Sequence, residues 1–310
     1  MTLEVLFSGG PDRWADYRAP LALALAEAGV AANLSCTASD PAAVDVIVLA
    51  PDGTEDFTAY PRTRAVLSLW AGVERVVGNP TLTQPLCRMV DPAMTEGMVE
   101  YIVGHVLRHH LDLDLDIAGY GGEWRQRDVR LARDRQVAVL GLGELGRSAA
   151  QALVRLNFRV SGWSRRPRRI DGVHCRSGDA GLEETLRAAE IVVTMLPHTP
   201  ETEGLIDAHR LGLLPQGAVL INPGRGALID DAALIAALDG GRLGHATLDV
   251  FRTEPLPPDH PFWRHPRVTV TPHIASATRP ETAARVIAEN IRRLAAGEPL
   301  LHRVDRAAGY

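Results

Sequence analysis

Several features that would assign this chain to a specialised class are scarce or missing. Its 310 residues include only three cysteines, Cys36, Cys87 and Cys175, whose spacing offers neither a disulfide framework nor a CxxC metal pattern. No apolar run approaches the roughly 20 residues needed to span a bilayer. The net charge of -5 gives no reason to expect nucleic acid or an anionic membrane as a partner. We therefore expect a soluble protein of the reducing cytoplasm.

What the sequence does contain is an alternation of strand and helix patterns along most of its length. Strands are predicted at 3–7, 44–50, 65–69, 136–140, 158–162, 191–196, 218–222, 246–250 and 268–271, and helices at 20–28, 95–108 and 280–296. This alternation predicts an α/β fold with doubly wound parallel sheets. Residues 111–116 alternate like a strand, but no turn signal separates them from the preceding helix, so we interpret them as helix.

A glycine-rich turn follows the strand predicted at 136–140. It reads Gly141-Leu142-Gly143-Glu144-Leu145-Gly146, and a helix pattern begins directly after it. The alternative is an ordinary strand-to-helix turn, but the preceding strand, the following helix and a further strand about twenty residues on favour a dinucleotide fingerprint. We therefore predict that the pyrophosphate of a dinucleotide lies at this turn, against the positive end of the helix.

The end of the next strand indicates which dinucleotide is preferred. An NAD enzyme usually carries Asp or Glu there to bind the ribose hydroxyls. This chain has Trp163-Ser164-Arg165-Arg166 and no acid. Arginine forks suit a 2′-phosphate, so the sequence predicts NADP(H) as the preferred cofactor, with NAD(H) possible. The alternative is a solvated basic turn.

Three later segments each begin at the carboxyl end of a predicted strand, where open α/β sheets place their ligands. They are Asn222-Pro223-Gly224-Arg225-Gly226, Asp249-Val250-Phe251-Arg252-Thr253-Glu254 and Thr271-Pro272-His273-Ile274-Ala275. Reduction of a 2-oxo acid needs a cation for the carboxylate and a proton donor for the carbonyl oxygen. Arg225 offers a planar fork for the first task, and His273 can perform the second near neutral pH. Glu254 would hydrogen-bond to the imidazole and orient it. The trio predicts hydride-transfer chemistry on a 2-oxo acid.

These motifs resemble the D-isomer-specific 2-hydroxyacid dehydrogenase family almost end to end. The segments that carry the resemblance are 163–165, 249–251 with 254–257, 263–268 and 304–310. It implies that Arg225 binds substrate, that Glu254 supports the histidine, and that His273 is the acid/base in NADPH-dependent reduction of small 2-oxo acids such as glyoxylate or hydroxypyruvate. It also implies that residues 1–96 and 277–310 form a substrate domain, into which a Rossmann domain, 97–276, is inserted, and that the protein is a homodimer with a surface reaching to about Asp128.

The resemblance implies further binding residues. Backbone N–H groups of Ala71, Gly72 and Val73 would bind the substrate carboxylate, and Asp249 would bind the nicotinamide carboxamide. The remaining cofactor site would include Gly141, Gly143, Glu144, Leu145, Gly146, Ser164, Arg165, Arg166, Leu196, Pro197, Thr202, Asn222, Pro223, Gly224, His273 and Ala275. Trp70 replaces a small residue of the family pattern, and either narrows the substrate pocket or packs in the core.

Three alternatives remain open at this stage. The first is the same chemistry on another 2-oxo acid, such as phenylpyruvate. The second is a non-catalytic NAD(P)-sensing partner protein, because the family resembles some transcriptional corepressors. A metal enzyme is disfavoured, because His105, His109 and His110 lack a matching set of carboxylates.

Overall fold

The computed structural model describes residues 2–309, which form two compact units. One unit runs to Met94 and resumes at Ala277, and the other is Thr95–Ser276. Each contains one parallel sheet with helices, so the predicted α/β class is confirmed. Two residues that the sequence analysis placed in the substrate domain, Met1 and Tyr310, lie outside the described residues. None of the helices in the described range is both long and apolar enough to cross a membrane.

The first unit is built on a five-stranded sheet. With labels in chain order, its elements are β1 (Leu3–Ser8), α1 (Pro11–Glu27), β2 (Ala32–Ser35), β3 (Val46–Leu49), β4 (Ala65–Ser68), α2 (Glu74–Val77), β5 (Leu86–Cys87) and α9 (Pro280–Ala296). The strand order is β2-β1-β3-β4-β5, and all neighbours are parallel.

The central strands of this unit are apolar because both faces of the sheet are covered. Every residue of β3 and β4 is buried, as expected for parallel strands between two layers. Leu21 of α1 and Ile291 of α9 belong to the core on one face. Ile47 and Phe57 belong to the core on the other.

The second unit is built on a seven-stranded sheet. Its elements are α3 (Pro92–His110), α4 (Leu113–Ala118), β6 (Gln136–Leu140), α5 (Glu144–Arg155), β7 (Arg159–Ser164), β8 (Val173–Ser177), α6 (Gly178–Ala188), β9 (Ile191–Thr194), α7 (Ala208–Leu213), β10 (Ala218–Asn222), α8 (Asp231–Asp239), β11 (Leu243–Leu248) and β12 (Val268–Val270). The strand order is β12-β11-β10-β9-β6-β7-β8, again parallel throughout. The order reverses beside β6, and ligands of open α/β sheets bind at such a switch point.

Some predicted elements were wrong in extent. Helix α1 begins at Pro11, so Pro20 lies inside the helix rather than at its start. The short strands β2, β5 and β8 were not predicted. The helix interpretation of 111–116 is confirmed from Leu113 onward, but α4 is separated from α3 by Asp112 in a left-handed conformation with φ of 53°.

Candidate active site

The glycine-rich turn joins β6 to α5, and two of its glycines are required by their surroundings. Gly141 has φ of +107°, and a Cβ there would lie 2.5 Å from the carbonyl oxygen of Met195. A Cβ on Gly146 would lie 1.9 Å from the carbonyl oxygen of Gly141. Any side chain at either position would therefore force the turn or the helix away from the sheet. The sequence pattern thus marks a real close approach of helix and strand.

The middle glycine faces open space. A Cβ built on Gly143 would meet nothing within 4 Å, and no described side chain caps α5 by hydrogen bonding at this position. Glu144 is exposed and pairs with Arg147 at 3.1 Å, whereas Leu145 is partly buried against the core. The N-cap position of this 12-residue helix therefore borders open space, and a helix N-terminus suits the pyrophosphate of a dinucleotide.

The basic turn lies at the end of β7, the strand that pairs with β6. Arg165 and Arg166 are both exposed. The hydroxyl of Ser164 donates a hydrogen bond of 2.7 Å to the carbonyl oxygen of Arg166, which shapes the turn. Two exposed arginines thus lie beside the dinucleotide turn, the residue type that suits a 2′-phosphate.

A second loop follows β9 and holds three residues of the predicted cofactor site. The Thr202 hydroxyl donates to the carbonyl oxygen of Pro197 at 2.7 Å and accepts from the backbone N–H of Thr199 at 2.8 Å. Leu196 is partly buried and packs against the core of the unit. In this structure Thr202 shapes the loop, and its binding role stays a prediction.

Asn222 organises the turn that carries Arg225. This buried amide accepts a hydrogen bond from Thr194 Oγ1 at 2.6 Å and another from the Gly224 N–H at 3.1 Å. Its Nδ2 donates to the carbonyl oxygen of Arg225 at 3.0 Å. Pro223 is buried between them. The guanidinium of Arg225 is half-buried and donates to the carbonyl oxygen of Gly224 at 2.8 Å, so a rigid turn presents it.

This turn is packed against the segment that follows β11. The Asp249 N–H donates to the carbonyl oxygen of Asn222 at 3.0 Å. A Cβ on Gly226 would lie 2.0 Å from the carbonyl carbon of Phe251, so the two backbones touch directly. The segments bearing Arg225 and Glu254 are therefore brought together, as the sequence pattern predicts.

His273 and Glu254 form a direct pair. Nδ1 of His273 lies 2.7 Å from Glu254 Oε2, while Oε1 of the same carboxylate accepts the Phe251 N–H at 2.9 Å. The glutamate is thus anchored to its own turn as it holds the ring. Because Nδ1 is engaged, Nε2 is the atom left to serve a substrate. The imidazole is about half exposed, which gives a ligand access to it.

Asp249 is fully buried and binds the turn that carries His273. Oδ1 accepts from Thr271 Oγ1 at 2.6 Å and from the Ile274 N–H at 2.9 Å, and Oδ2 accepts from the Ala275 N–H at 2.9 Å. The family resemblance implies that Asp249 binds the nicotinamide carboxamide. The structure adds a second task, because three protein donors already converge on its carboxylate.

The predicted substrate loop lies in the first unit. Ala71 and Gly72 follow β4, and the buried Val73 precedes α2. Trp70 is partly buried against the core, and the guanidinium carbon of Arg13 lies 5.0 Å from its ring centre. The structure therefore gives Trp70 a packing contact, and its effect on a substrate pocket stays a prediction.

Sequence reasoning missed two residues that contact the site. Thr271 was read only as the start of the histidine segment, and Tyr101 was not singled out. Tyr101, His105 and His109 recur at four-residue spacing on α3, a polar stripe that would have been the available signal. Their ring contacts and hydrogen bonds lie within the second unit, and within residues 2–309 no group of three or more His, Cys, Asp or Glu could hold a metal ion.

Comparison with known proteins agrees with this geometry. A family model described as D-isomer specific 2-hydroxyacid dehydrogenase, NAD binding domain, matches residues 104–275. Glyoxylate/hydroxypyruvate reductase A of Serratia proteamaculans (strain 568) is 41% identical over 257 residues, which cover 80% of this chain and 82% of that protein.

Solved structures match over the whole chain. A D-isomer specific 2-hydroxyacid dehydrogenase from Xanthobacter autotrophicus Py2, in complex with NADPH and MES, has a TM-score of 0.92 at 41% identity and covers 100% of both chains. The NADPH-dependent glyoxylate/hydroxypyruvate reductase of Sinorhizobium meliloti, in complex with NADP and sulfate, has a TM-score of 0.86 at 33% identity and covers 100% of this chain and 99% of that one. The chain belongs to the D-isomer specific 2-hydroxyacid dehydrogenase family.

Proposed function

We propose that this protein is an NADPH-dependent reductase of small 2-oxo acids, with glyoxylate and hydroxypyruvate as substrates. The observation that carries the proposal is the His273–Glu254 pair, held beside the Arg225 turn in the unit that contains the dinucleotide fingerprint. The names of the Serratia and Sinorhizobium relatives specify the same two substrates.

Each of the three residues has a defined task in this reaction. When bound, NADPH supplies the hydride that reduces the carbonyl carbon. Arg225 binds the substrate carboxylate through its planar fork. Nε2 of His273 donates a proton to the carbonyl oxygen as it becomes a hydroxyl, and Glu254 holds Nδ1 so that Nε2 points at the substrate. The product is a 2-hydroxy acid.

The substrate is tested by following the loss of NADPH absorbance with glyoxylate, hydroxypyruvate, pyruvate and phenylpyruvate. We expect the highest kcat/KM for glyoxylate or hydroxypyruvate. If kcat/KM were highest for phenylpyruvate, the proposed reaction would stand and the proposed substrates would be wrong. Binding of NADPH without turnover of any member of the panel would favour the non-catalytic sensing protein instead.

The two units have different predicted binding roles. We assign cofactor binding and the Arg225 contact with the substrate carboxylate to the unit that contains residues 104–275, which the NAD-binding family model matches. Binding of the same carboxylate by backbone N–H groups of Ala71, Gly72 and Val73 stays a prediction. The domain limits of 1–96 with 277–310 and 97–276 stay a prediction, and the compact units of the structure change at Met94 and at Ser276. The expectation of a cytoplasmic protein also stays a prediction.

Replacing Arg165 by Ala should lower kcat/KM for NADPH at least about tenfold, because hydrogen bonds to a charged group contribute about 1.5–3 kcal/mol each. The kcat/KM for NADH, which lacks the 2′-phosphate, should stay unchanged. Arg169→Ala, which alters the same exposed basic segment further along, is the matched control and should affect neither cofactor. If the unmodified protein had a kcat/KM for NADH equal to or above that for NADPH, the assignment of Arg165 and Arg166 to the 2′-phosphate would be contradicted.

We also propose a homodimer formed through the segment between α3 and β6. Several large apolar side chains are exposed there, including Ile117 at 80% and Trp124 at 91%. The others are Leu113, Leu115, Val129 and Leu131. Exposed apolar residues concentrated in one segment are typical of a protein–protein contact.

The dimer is tested by replacing Trp124 with Glu and measuring molar mass by light scattering across a dilution series. We expect the dissociation constant to rise more than about tenfold, because a buried aromatic anchor at an interface contributes 2 kcal/mol or more. Leu23→Glu alters an apolar side chain on α1 that is 61% exposed, and this control should stay dimeric. A monomeric unmodified protein would exclude the dimer.

A further inference from the structure

A row of hydroxyl groups links α3 to the turn that carries His273. The Tyr101 hydroxyl lies 2.8 Å from Thr271 Oγ1, which in turn lies 2.6 Å from Asp249 Oδ1. An ionised carboxylate only accepts hydrogen bonds, so the proton between Thr271 and Asp249 belongs to Thr271. Thr271 Oγ1 then accepts a hydrogen bond from the Tyr101 hydroxyl. Both hydroxyl groups therefore point toward the carboxylate.

The carboxylate at the end of this row holds an unfavourable backbone. His273 has φ of 54°, in the left-handed region that a residue with a side chain seldom adopts. Asp249 binds the turn on both sides of this strain, since its carbonyl oxygen accepts the His273 N–H and its carboxylate accepts the N–H groups of Ile274 and Ala275. Such a conformation persists only where its surroundings determine it.

We propose that Tyr101 and Thr271 are positioning residues for His273: their hydroxyl row holds the Asp249 carboxylate, which holds the 273–275 backbone and thereby aims the imidazole. Neither hydroxyl needs to touch substrate. This inference rests on the proposed function, because it gives His273 the catalytic task stated above.

The pKa of Tyr101 and the packing of its ring both support Tyr101 as the donor to Thr271. Burial raises the pKa of Tyr101 to about 12 against the lowering effect of its hydrogen bond with Thr271, so the phenol is protonated at neutral pH and can donate. The ring of Tyr101 packs against that of His105 with centres 4.4 Å apart, which fixes where the hydroxyl points. The donor is thus held in both charge and orientation.

The chain provides a matched control two residues away. Thr269 on β12 also places its hydroxyl against a polar partner, 2.8 Å from His245 Nε2. Thr269→Val and Thr271→Val therefore each remove one threonine hydroxyl and its hydrogen bond from the same edge of the sheet. The proposal predicts that only the second affects catalysis.

The experiment is a double-mutant cycle with kcat expressed per NADPH-binding site, so that loss of folded protein does not count as loss of rate. We expect Thr271→Val to lower kcat about tenfold and Tyr101→Phe about threefold, as the loss of a charge-assisted or a neutral hydrogen bond implies. Thr271→Ser, which keeps the hydroxyl, should restore most of the rate. KM for the 2-oxo acid and NADPH affinity should change little.

The same Thr271→Val change is then made in the His273→Asn protein. A residue that acts through His273 has no further effect there, whereas a general structural role lowers kcat in both backgrounds. Equal losses in the two backgrounds, or equal rates for Thr271→Val and Thr269→Val, would overturn the proposal. Neither outcome affects the proposed function, which fails only if the unmodified protein reduces no 2-oxo acid or His273→Asn retains its full rate.

Discussion

The His273→Asn variant should lose about 10²- to 10⁴-fold of kcat, the usual contribution of a positioned proton donor. Asparagine is smaller than histidine, carries no proton that it can transfer near neutral pH, and leaves the dinucleotide turn at Gly141–Gly146 unaltered. NADPH should therefore bind to the variant about as it does to the unmodified protein. The measurement is steady-state kcat together with a fluorescence titration of NADPH.

A second histidine–glutamate pair provides the control for this variant. His209 on α7 lies 3.3 Å from Glu183 Oε1 through its Nε2, and its side chain is exposed. His209→Asn should leave kcat unchanged. If His273→Asn and His209→Asn had the same kcat, His273 would not be the acid/base.

Arg225→Ala should lower kcat/KM for the 2-oxo acid about 30-fold to about 5,000-fold. This range corresponds to about 2–5 kcal/mol, the cost of removing one partner from a hydrogen-bonded charge pair that is shielded from water. Arg225 lies on a turn that Asn222 holds through hydrogen bonds to the Gly224 N–H and the Arg225 carbonyl oxygen. Another residue of the turn could reach the position of the guanidinium only if these bonds broke. Initial rates over a range of 2-oxo acid concentrations at saturating NADPH measure the loss.

Arg225→Lys separates the charge of the residue from its shape. Lysine keeps the positive charge and loses the two-pronged fork, so its kcat/KM should lie between that of Arg225→Ala and that of the unmodified protein. Arg176→Ala, which breaks an exposed pair with Glu184, is the control and should have no effect. If Arg225→Ala kept the kcat/KM of the unmodified protein, Arg225 would not bind the substrate carboxylate.

The elements that sequence predicted well are strands buried on both sides and a helix with clear end signals. Strands β3 and β6 are nearly uninterrupted apolar runs, and α9 was predicted at its observed limits because it has a proline at the start and a glycine directly after the end. Two of the missed strands are edge strands: β2 lies at one edge of the five-stranded sheet, and β8 lies at one edge of the seven-stranded sheet. An edge strand buries less of its surface, so Ala32–Ser35 and Val173–Ser177 carry mostly polar or small residues and leave no apolar run to detect.

The candidate site was predictable where the chemistry dictates a residue type. The sequence led to the pairing of Glu254 with His273, and the structure places their side chains 2.7 Å apart. The hydroxyl row could not be predicted, because Tyr101 and Thr271 are separated by 170 residues and meet only when α3 packs on the sheet. Hydroxyl and aromatic residues are common in α/β proteins for many reasons, so their types alone gave no signal.

Hydride transfer from NADPH to a 2-oxo acid is tested most directly by following deuterium from the nicotinamide C4 position into the product of glyoxylate or hydroxypyruvate reduction. We expect deuterium on C2 of the 2-hydroxy acid, a hydroxyl proton from solvent, and almost no labelled product from His273→Asn in the same time. A C2 hydrogen that came from solvent, or tight binding of NADPH with no labelled product from any 2-oxo acid, would contradict this hydride transfer.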